Sequence, residues 1–272
     1  MIAFTKMHGL GNDFVVIDRR NTPVDLDAER IRAIADRRRG VGCDQLILID
    51  QPDNERANAF LRFYNPDGGE SAACGNGTRC VAATLMAELG QQTAMIETAA
   101  GMLAAEAGAD GIVAVDMGPP QLRWADIPLR EQADTLSLPI ELGPLNTATA
   151  VNMGNPHCVF FVDDAEAIDL PALGPEIEHH PMFPERTNVE VATVTGPAHI
   201  RLRVWERGTG ITQACGTGAC ATAVAAHRRG LTGRKVELDL DGGTLSVEWR
   251  EDDDHVVLAG PTALSFTGVL AG

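Results

Sequence analysis

The sequence AACGNGTRCVAATLMAELG, residues 72–90, has a second version in QACGTGACATAVAAHRRG, residues 213–230. Each version places a cysteine, Cys74 or Cys215, directly before a Gly-x-Gly turn. A run of small and apolar residues follows each turn and stops at a glycine, which predicts a helix. We therefore expect two helices, one in each half of the chain, that each begin beside a thiol.

Both of these helices are predicted to be interior helices. Residues 80–89 include Leu85, Met86 and Leu89 with few charges, and residues 219–226 are almost entirely Ala, Val and Thr. A helix that is apolar on all sides is normally buried. We therefore expect strands to surround each helix, with small side chains allowing a close approach.

The spacing of polar residues indicates a duplication. Four pairs of residues keep nearly the same separation, which is 141 residues for Cys74/Cys215 and Asn65/Glu206 and 143 residues for Asn12/Asn155 and Gln45/Asn188. A repeat of this length indicates a duplicated domain and not a short solenoid repeat.

Strand patterns also recur in the same order in both halves. In the first half they are predicted at residues 2–7, 14–19, 45–50, 59–64, 94–99, 102–106 and 112–117. In the second half they are predicted at residues 146–153, 158–162, 189–195, 199–206, 235–240, 244–250 and 255–260, with a last strand at 263–270. Further helices are predicted over residues 25–39 and 169–179, and His157 is assigned to a loop over residues 154–157.

The expected fold is α/β (α+β) with two pseudo-symmetric domains. Each domain is predicted to be a mostly antiparallel sheet or barrel around its central apolar helix. The predicted domains are residues 1–118 and 119–261, and residues 262–272 are expected to pair back onto the first domain. Because ligands often bind between domains, we expect the active site in the cleft that separates them.

Composition limits the possible classes of protein. The chain has 272 residues, of which 44% are apolar, and a formal net charge of −16. This charge argues against nucleic acid or an anionic membrane surface as a partner. No apolar run approaches the ~18 residues of a membrane span. The N-terminal residues lack the pattern of a signal peptide, so we expect a cytoplasmic protein.

Six cysteines are present, and their spacing does not suggest a metal site. None forms a Cys-x2-Cys pair, so neither structural zinc nor another metal is expected. Reduced thiols are the expectation for a cytoplasmic chain. Besides Cys74 and Cys215, the cysteines are expected to pack in or near the core, and they are Cys43, Cys80, Cys158 and Cys220.

A thiol at a helix N-terminus is expected to ionise more readily than an isolated thiol. The positive end of the helix dipole and the N–H groups of the first turn stabilise the thiolate, which lowers the pKa. The same N–H groups, at Gly75 and Asn76 and at Gly216 and Thr217, are candidates to bind a carboxylate. Each motif therefore offers a base together with part of an anion site.

Two such thiols suit the inversion of a stereocentre, because that reaction needs a base on one face of a carbon and an acid on the other. Cys74 and Cys215, one as thiolate and one as thiol, meet this need and exchange roles when the reaction reverses. They are expected to titrate as a coupled pair. No pyridoxal phosphate site is evident in the sequence, and we expect no cofactor.

Polar residues near the predicted turns form the next group of candidates. Glu206 and Arg207 are either a surface ion pair at a strand end, or groups that hold an ammonium and, in bidentate fashion, a carboxylate. His157 is a ligand contact, a helper in proton transfer or a simple loop histidine. Five amides either shape turns or bind a shared ligand, and they are Asn12, Gln45, Asn65, Asn155 and Asn188.

At these residues the chain resembles the diaminopimelate epimerase family over essentially its whole length. The matching motifs are GLGNDF at 9–14, GCDQ at 42–45, NPDG at 65–68, ACGNGTR at 73–79, GNPH at 154–157, ERG at 206–208 and ACGTG at 214–218. The two cysteine motifs together make the resemblance specific.

The resemblance implies a cofactor-independent epimerase that converts LL-2,6-diaminoheptanedioate into the meso isomer, towards lysine and peptidoglycan. It implies acid–base roles for Cys74 and Cys215, with support from His157 and Glu206. It also implies a homodimer. The implied substrate contacts are Asn12, Gln45, Asn65, Gly75, Asn76, Asn155, Asn188, Glu206, Arg207, Gly216 and Thr217.

Three alternative functions are consistent with parts of the pattern. A racemase of another amino acid also uses two cysteines without pyridoxal phosphate. A thiol-redox protein uses two reactive cysteines but retains activity through a disulfide cycle, whereas oxidation that joins Cys74 to Cys215 is expected to stop an epimerase. A catalytically silent amino-acid-binding module needs no second cysteine.

Overall fold

The computed structural model describes residues 1–71 and 74–270. Ala72 and Ala73 of the first quoted stretch, and the last two residues of the predicted C-terminal segment, lie outside the described residues. The α-helices of the described chain are α1 (Ala28–Ala35), α2 (Gly75–Leu89), α3 (Leu170–Glu178) and α4 (Gly216–Arg228). Short 3-10 turns occupy Ala109–Gly111 and Ala165–Ala167.

The strands account for most of the regular structure. In chain order they are β1 (Ile2–Gly9), β2 (Asn12–Asp18), β3 (Gln45–Asp50), β4 (Ala59–Tyr64), β5 (Glu70–Ser71), β6 (Thr93–Thr98), β7 (Gly101–Ala107), β8 (Ile112–Asp116), β9 (Leu138–Leu142), β10 (Leu145–Asn152), β11 (Pro156–Phe161), β12 (Asn188–Gly196), β13 (His199–Glu206), β14 (Gly210–Ile211), β15 (Lys235–Leu240), β16 (Gly243–Trp249), β17 (Val256–Pro261) and β18 (Ala263–Leu270).

The chain divides into two compact units. The first contains Met1–Asp116 and the residues from Gly260 onward, and the second contains Met117–Ala259. In the first unit, β1 pairs antiparallel with both β2 and β18. The pairs β2–β3 and β4–β6 are parallel, whereas β3–β4, β6–β7 and β7–β8 are antiparallel.

The second unit repeats this order of pairing. The pairs β11–β12 and β13–β15 are parallel, whereas β12–β13, β15–β16 and β16–β17 are antiparallel. Register recurs as well, because Phe14 pairs with Gln45 in the first unit and His157 pairs with Asn188 in the second. The predicted α+β class, with mostly antiparallel sheet, is confirmed.

Each unit packs its strands against one central helix. In the first unit α2 contacts β1, β2, β6, β7 and β8, and in the second α4 contacts β10, β11, β12, β15 and β16. Helix α4 is buried from Gly218 to Ala226, as predicted. Helix α2 is buried through its first two turns, but Leu89 is 42% exposed. The prediction of burial was wrong for Leu89, because the last turn of α2 faces solvent.

Helix α1 is shorter than the predicted helix over residues 25–39. It begins after Asp27, whose carboxylate accepts the N–H of Arg30, an N-cap worth about 1 kcal/mol. It ends at Asp36, whose backbone leaves the helical conformation. The Asp36 carboxylate then accepts the N–H groups of Arg38 and Arg39, so the basic residues form a turn in place of another helical turn.

Other differences from the prediction concern strands. His157 lies within β11 and not in a loop, because its backbone pairs with β10 and β12 on both sides. Three strands are additional to those predicted, namely β5, β9 and β14. No helix within residues 1–71 and 74–270 has the length and apolar character needed to span a bilayer.

Candidate active site

The first thiol, Cys74, is the N-cap residue of α2. Its backbone is extended, with φ −148° and ψ 111°, and its Sγ atom accepts the N–H of Gly77 at 3.4 Å. Gly77 lets the helix approach the sheet closely. A Cβ atom at this position would lie 2.7 Å from Ile47 Cδ1 and 3.1 Å from Phe63 Cε1. The sequence pattern Cys-Gly-x-Gly therefore both caps the helix and seats it on the sheet.

Asn76, in the first turn of α2, begins a network of hydrogen-bonded side chains. Asn76 donates from Nδ2 to Asn12 Oδ1 at 3.1 Å, and the buried Arg79 donates to Asn76 Oδ1 at 2.8 Å. Asn12 in turn donates from Nδ2 to Asp44 Oδ2 at 3.0 Å. The side chains of Asn12 and Asn76, both predicted to bind substrate, are thus held in fixed orientations.

Two aspartates join the strands that carry this network. The Asp13 N–H donates to Asp44 Oδ2 at 3.0 Å, and the Asp44 N–H donates to Asp13 Oδ1 at 2.9 Å. Asp13 also accepts from Lys6 Nζ at 2.5 Å and from Arg37 Nη2 at 2.7 Å. Burial alone would raise the pKa of Asp13, but the hydrogen bonds from Arg37 and Lys6 outweigh it and hold that pKa well below its usual range.

Gln45 and Asn65 form a second amide pair in the first unit. Gln45 begins β3 and donates from Nε2 to Asn65 Oδ1 at 3.0 Å. Asn65 follows β4 directly, and its N–H donates to Gly69 O across a turn at 2.8 Å. Gln45 Oε1 is buried and has no hydrogen-bond partner within residues 1–71 and 74–270. A buried acceptor of this kind suits a ligand that brings its own donor, such as an ammonium group.

The second thiol, Cys215, is the N-cap residue of α4. Its backbone is again extended, and Sγ accepts the N–H of Gly218 at 3.4 Å. The hydroxyl of Thr217 lies 3.6 Å from Sγ. Cys215 is 7% exposed, whereas Cys74 is only half-buried. The two caps therefore share one backbone geometry in different surroundings.

The surroundings of Cys215 overturn the expectation of a lowered pKa. Burial raises the pKa of the Cys215 thiol well above its usual value, and the charges of Glu206 and Glu190 raise it further. The hydrogen bonds from Thr217 and Gly218 act in the opposite direction but are weaker. The helix N-terminus alone does not make a thiolate here, because desolvation disfavours the charged form more strongly.

Glu206 lies beside Cys215 at the end of β13. Its Oε1 accepts from Thr212 Oγ1 at 2.6 Å, and its carboxyl also accepts a hydrogen bond from the Cys215 thiol. Burial raises the pKa of Glu206, although these hydrogen bonds oppose the shift. The guanidinium of Arg207 instead donates to the Glu185 carbonyl at 3.0 Å. Glu206 and Arg207 thus have different partners, which disfavours a simple surface ion pair.

Asn188 organises the strand ends around these residues. Its side chain is 3% exposed and spans two strands. Oδ1 accepts the N–H of Arg207 at 2.9 Å, and Nδ2 donates to the Pro156 carbonyl at 2.9 Å. Asn188 therefore supports the turn that presents Arg207.

His157 is fully buried and lies between Glu190 and Asn155. Its Nδ1 is 2.7 Å from Glu190 Oε1, and its Nε2 is 2.8 Å from Asn155 Oδ1. Burial raises the pKa of Glu190, while the interaction with His157 opposes that shift. The interpretation of His157 as a simple loop histidine is excluded, because the ring joins a buried carboxyl to one of the predicted ligand amides.

The other cysteines lie in the core. Burial raises the pKa of Cys43 to about 11 and that of Cys80 to about 12. Cys158, inside β11, has a pKa raised well above the usual value for the same reason. Cys220 is buried in α4. These four cysteines therefore act as small packing residues of the core, as expected.

Three residues that contact the predicted site residues were not predicted from the sequence, namely Asp44, Arg79 and Glu190. Asp44 and Arg79 lie inside the quoted motifs, beside residues that were selected. Glu190 is the lone charge in the apolar strand sequence NVEVAT, and an acid in a buried strand is a detectable signal.

Comparisons with known proteins agree with these features. The family model described as diaminopimelate epimerase matches residues 4–123 and 149–264. A diaminopimelate epimerase of Rhodospirillum centenum is 58% identical over 98% of this chain and 92% of its own length. Those of Acidiphilium cryptum and Erythrobacter litoralis are 56% and 53% identical, each over 98% of this chain and 95% and 96% of their own lengths.

Solved structures show the same fold at lower identity. A hydroxyproline epimerase from Agrobacterium vitis has a TM-score of 0.70 at 17% identity, covering 98% of this chain and 91% of that one. A probable proline racemase from Agrobacterium radiobacter also has a TM-score of 0.70, at 18% identity, covering 100% and 93%. At such identities the likeness concerns the fold alone.

Proposed function

The chain belongs to the diaminopimelate epimerase family and is an isomerase that converts LL-2,6-diaminoheptanedioate into the meso isomer in lysine biosynthesis; we propose that Cys74 and Cys215 are the acid and base of this reaction. One observation carries this proposal. Each thiol is the N-cap of a central helix and accepts an N–H from that helix's own first turn. Family membership also argues against the alternatives of a thiol-redox protein and of a catalytically silent amino-acid-binding module.

In the proposed reaction, a thiolate removes the proton from one α-carbon of the substrate. The C–H electron pair moves into the adjacent carboxylate, and the second thiol delivers its proton to the opposite face of the same carbon. The first cysteine is then a thiol and the second a thiolate, so the reverse reaction uses them in exchanged roles. No redox change accompanies these steps.

The carbanion formed in this way needs stabilisation, and the helix N-termini are suited to supply it. The first N–H groups of a helix have no partner within the helix, and the helix dipole adds positive potential. We assign the N–H groups of Gly75, Asn76, Gly216 and Thr217 to the reacting carboxylate. Preorganised donors of this kind can contribute about 3–4 kcal/mol each to lowering a barrier.

Glu206 is the proposed partner of Cys215 in proton transfer. Its carboxyl accepts the hydrogen bond of the thiol, burial raises its pKa, and the two groups titrate as a coupled pair. This hydrogen bond fixes the direction in which the S–H bond of Cys215 points. His157 supports catalysis less directly, through the amide of Asn155.

The substrate has an amino acid at each end, so its unreactive end also needs recognition. We assign this role to Arg207 together with the amides of the site. Arg207 is exposed and is oriented by Glu185. Gln45 Oε1, which is buried without a hydrogen-bond partner within residues 1–71 and 74–270, would stay unpaired with a smaller amino acid, and this disfavours binding of such a ligand. The amides are Asn12, Gln45, Asn65, Asn155 and Asn188.

We further propose that the enzyme is a cytoplasmic homodimer. Strand β18 exposes three large apolar side chains, Leu264 at 61%, Phe266 at 50% and Val269 at 61%. Large apolar side chains exposed to this extent are available to be covered by a second copy of the chain. A mass in solution of twice the 28.9 kDa chain supports the dimer, and the chain mass at micromolar concentration argues against it.

Substitution of the cysteines tests the two-thiol proposal. Cys74→Ala and Cys215→Ala should each reduce formation of the meso isomer from the LL isomer by at least about 10³-fold, because either substitution removes an acid or base from the reaction. Chiral chromatography of the products measures the rate.

Cys80→Ala and Cys220→Ala are matched controls, because they remove thiols from the same two helices farther from the caps. Both should keep wild-type turnover. Full activity in either cap variant would contradict the assignment.

A further inference from the structure

A histidine and a glutamate are buried together beneath the first turn of α4. His157 and Glu190 are both 0% exposed, and Nδ1 lies 2.7 Å from Oε1. Glu190 lies in β12 two residues after Asn188, so both side chains project from the same face of the strand. The pair therefore belongs to the region of the second thiol, although neither chemistry nor substrate contact has been assigned to Glu190.

Gly218 separates Glu190 from that thiol. A Cβ atom at position 218 would lie 2.8 Å from Glu190 Oε1 and 3.3 Å from Cys215 Sγ. The N–H of the same glycine donates to Cys215 Sγ. Close packing of the Glu190 carboxyl against the turn that holds the Cys215 thiol thus requires glycine at position 218. The negative charge of Glu190 also contributes to raising the pKa of Cys215.

In the first unit, apolar side chains pack against the equivalent turn. The residues at the repeat spacing of 143 are Phe14 for His157 and Ile47 for Glu190, and both are 0% exposed. Gly77 corresponds to Gly218 at the spacing of 141, and its Cβ would lie 2.7 Å from Ile47 Cδ1 and 3.5 Å from Phe14 Cε1. The same packing is achieved there without an ionisable group.

Stability does not explain a His–Glu pair at this position. Burying two ionisable groups carries a large solvation cost, and apolar replacements of similar volume are often neutral or stabilising. Glu190 Oε2 adds to this cost, because it is buried without a hydrogen-bond partner within residues 1–71 and 74–270. Since Phe14 and Ile47 meet the same structural need, the polar pair indicates a functional requirement.

The hydrogen bonds of the ring show what that requirement is. Nε2 lies 2.8 Å from the carbonyl oxygen of Asn155, and this contact is a hydrogen bond in the tautomer that carries a proton on Nε2. One further proton lies between Nδ1 and Glu190 Oε1, whichever of the two holds it. The Asn155 carbonyl is thereby turned towards the ring, and its NH₂ group is turned away from the ring. Asn155 as a residue is half-buried.

We propose that Glu190 is a positioning residue for the epimerisation, which acts through His157 to fix the side-chain amide of Asn155 for the substrate. The proposal rests on the function proposed above, in which Asn155 binds the substrate. It also makes the two helix-capping turns inequivalent, because the turn at Cys74 packs against Phe14 and Ile47 in place of the polar pair.

A double-substitution cycle tests the proposal in the full-length enzyme with LL-2,6-diaminoheptanedioate. Glu190→Gln keeps the volume but changes the proton shared with His157, and should lower kcat/KM by about 10–100-fold, as loss of a supporting hydrogen-bond partner commonly does. Most of the loss should appear as a higher KM. In a His157→Phe background the same substitution should change kcat/KM by less than about 3-fold, because its effect passes through the ring.

Two further measurements separate positioning from folding. Nitrogen-15 NMR of the His157 ring should show a changed protonation pattern in Glu190→Gln. The double variant His157→Phe/Glu190→Ile reproduces the pair of the first unit and should fold with a Tm at or above that of the wild type. Glu237→Gln is the matched control, because Glu237 lies 3.4 Å from His199 in an exposed pair, and it should leave kcat/KM unchanged.

Two outcomes overturn the role of Glu190. One is a Glu190→Gln enzyme with wild-type KM and kcat. The other is a double-substitution cycle in which the fold losses in kcat/KM from Glu190→Gln and His157→Phe multiply, as they would for independent residues. Failure of the proposed function is distinguishable, because it appears as a wild-type enzyme that does not epimerise the substrate.

Discussion

At the scale of single residues, the two thiols show how far burial modifies a local motif. Cys74 and Cys215 cap their helices with the same geometry, yet Cys215 is 7% exposed and lies beside two carboxyl groups. The helix N-terminus favours a thiolate, whereas desolvation favours the thiol. The pKa of Cys215 is therefore decided by its neighbours in three dimensions, which the motif alone does not contain.

Asp13 gives a prediction about stability and pH. Lys6 and Arg37 hold its folded-state pKa well below the value of about 3.9 expected in the unfolded chain. Its contribution is therefore fully present above that value and is lost as the pH falls below it towards the folded-state pKa. Asp13→Asn should lower the free energy of unfolding by about 2–4 kcal/mol at pH 7. The difference from the wild type should shrink by pH 3.

Denaturant unfolding at both pH values measures this effect. Asp126→Asn is the control, because it removes a pair with the 82% exposed side chain of Arg123 and should cost less than about 1 kcal/mol. An Asp13→Asn penalty that is as large at pH 3 as at pH 7 would show that charge is not the cause.

At the scale of elements, sequence patterns predicted the bounds of the central helices more reliably than those of α1. The Cys-Gly-x-Gly pattern predicted the starts of α2 and α4, because capping is a local property. The predicted helix over residues 25–39 was too long, since Asp36 binds the following N–H groups and ends it. The assignment of His157 to a loop was wrong because strand pairing with β12 is not a local property.

The same limit applies to the candidate site. Repeat spacing and motif identity were enough to select the two cysteines and the amides. Glu190 was missed because its importance depends on contact with His157, 33 residues away in the chain, and on the glycine above it. Comparing equivalent positions in the two halves would have found it, since Ile47 stands where Glu190 does.

Two glycines of the α2 segment should respond differently to alanine. Gly90 ends the helix with φ +64°, and a Cβ atom there would meet no atom of the described residues within 4 Å. Gly90→Ala should therefore cost about 1 kcal/mol through backbone strain alone, with full activity. Gly77→Ala forces a Cβ to 2.7 Å from Ile47 and should cost about 1–3 kcal/mol. It should also reduce turnover, because the N–H of Gly77 holds Cys74.

Thermal unfolding together with the epimerase assay compares these variants. Equal effects of the two substitutions on both stability and turnover would contradict the close packing inferred at Gly77.

At the scale of the whole molecule, one repeated unit has been adapted to an asymmetric task. Each unit supplies a helix-capping thiol and a set of amides. The second unit adds the carboxyl groups of Glu190 and Glu206 beside its thiol and the turn beneath it. A substrate inverted at one carbon presents two different faces, so two identical halves would not be the best complement to it.

Epimerisation in deuterium oxide tests the two-thiol account most directly. The reaction starts from the LL isomer, is stopped at low conversion, and the α-carbon deuterium of both isomers is measured by mass spectrometry. If one thiol removes the proton and the other delivers a different one, the meso product contains one deuterium while the recovered LL substrate remains almost unlabelled. Equal labelling of substrate and product from the earliest times would indicate a single base that serves both faces, and would contradict the account.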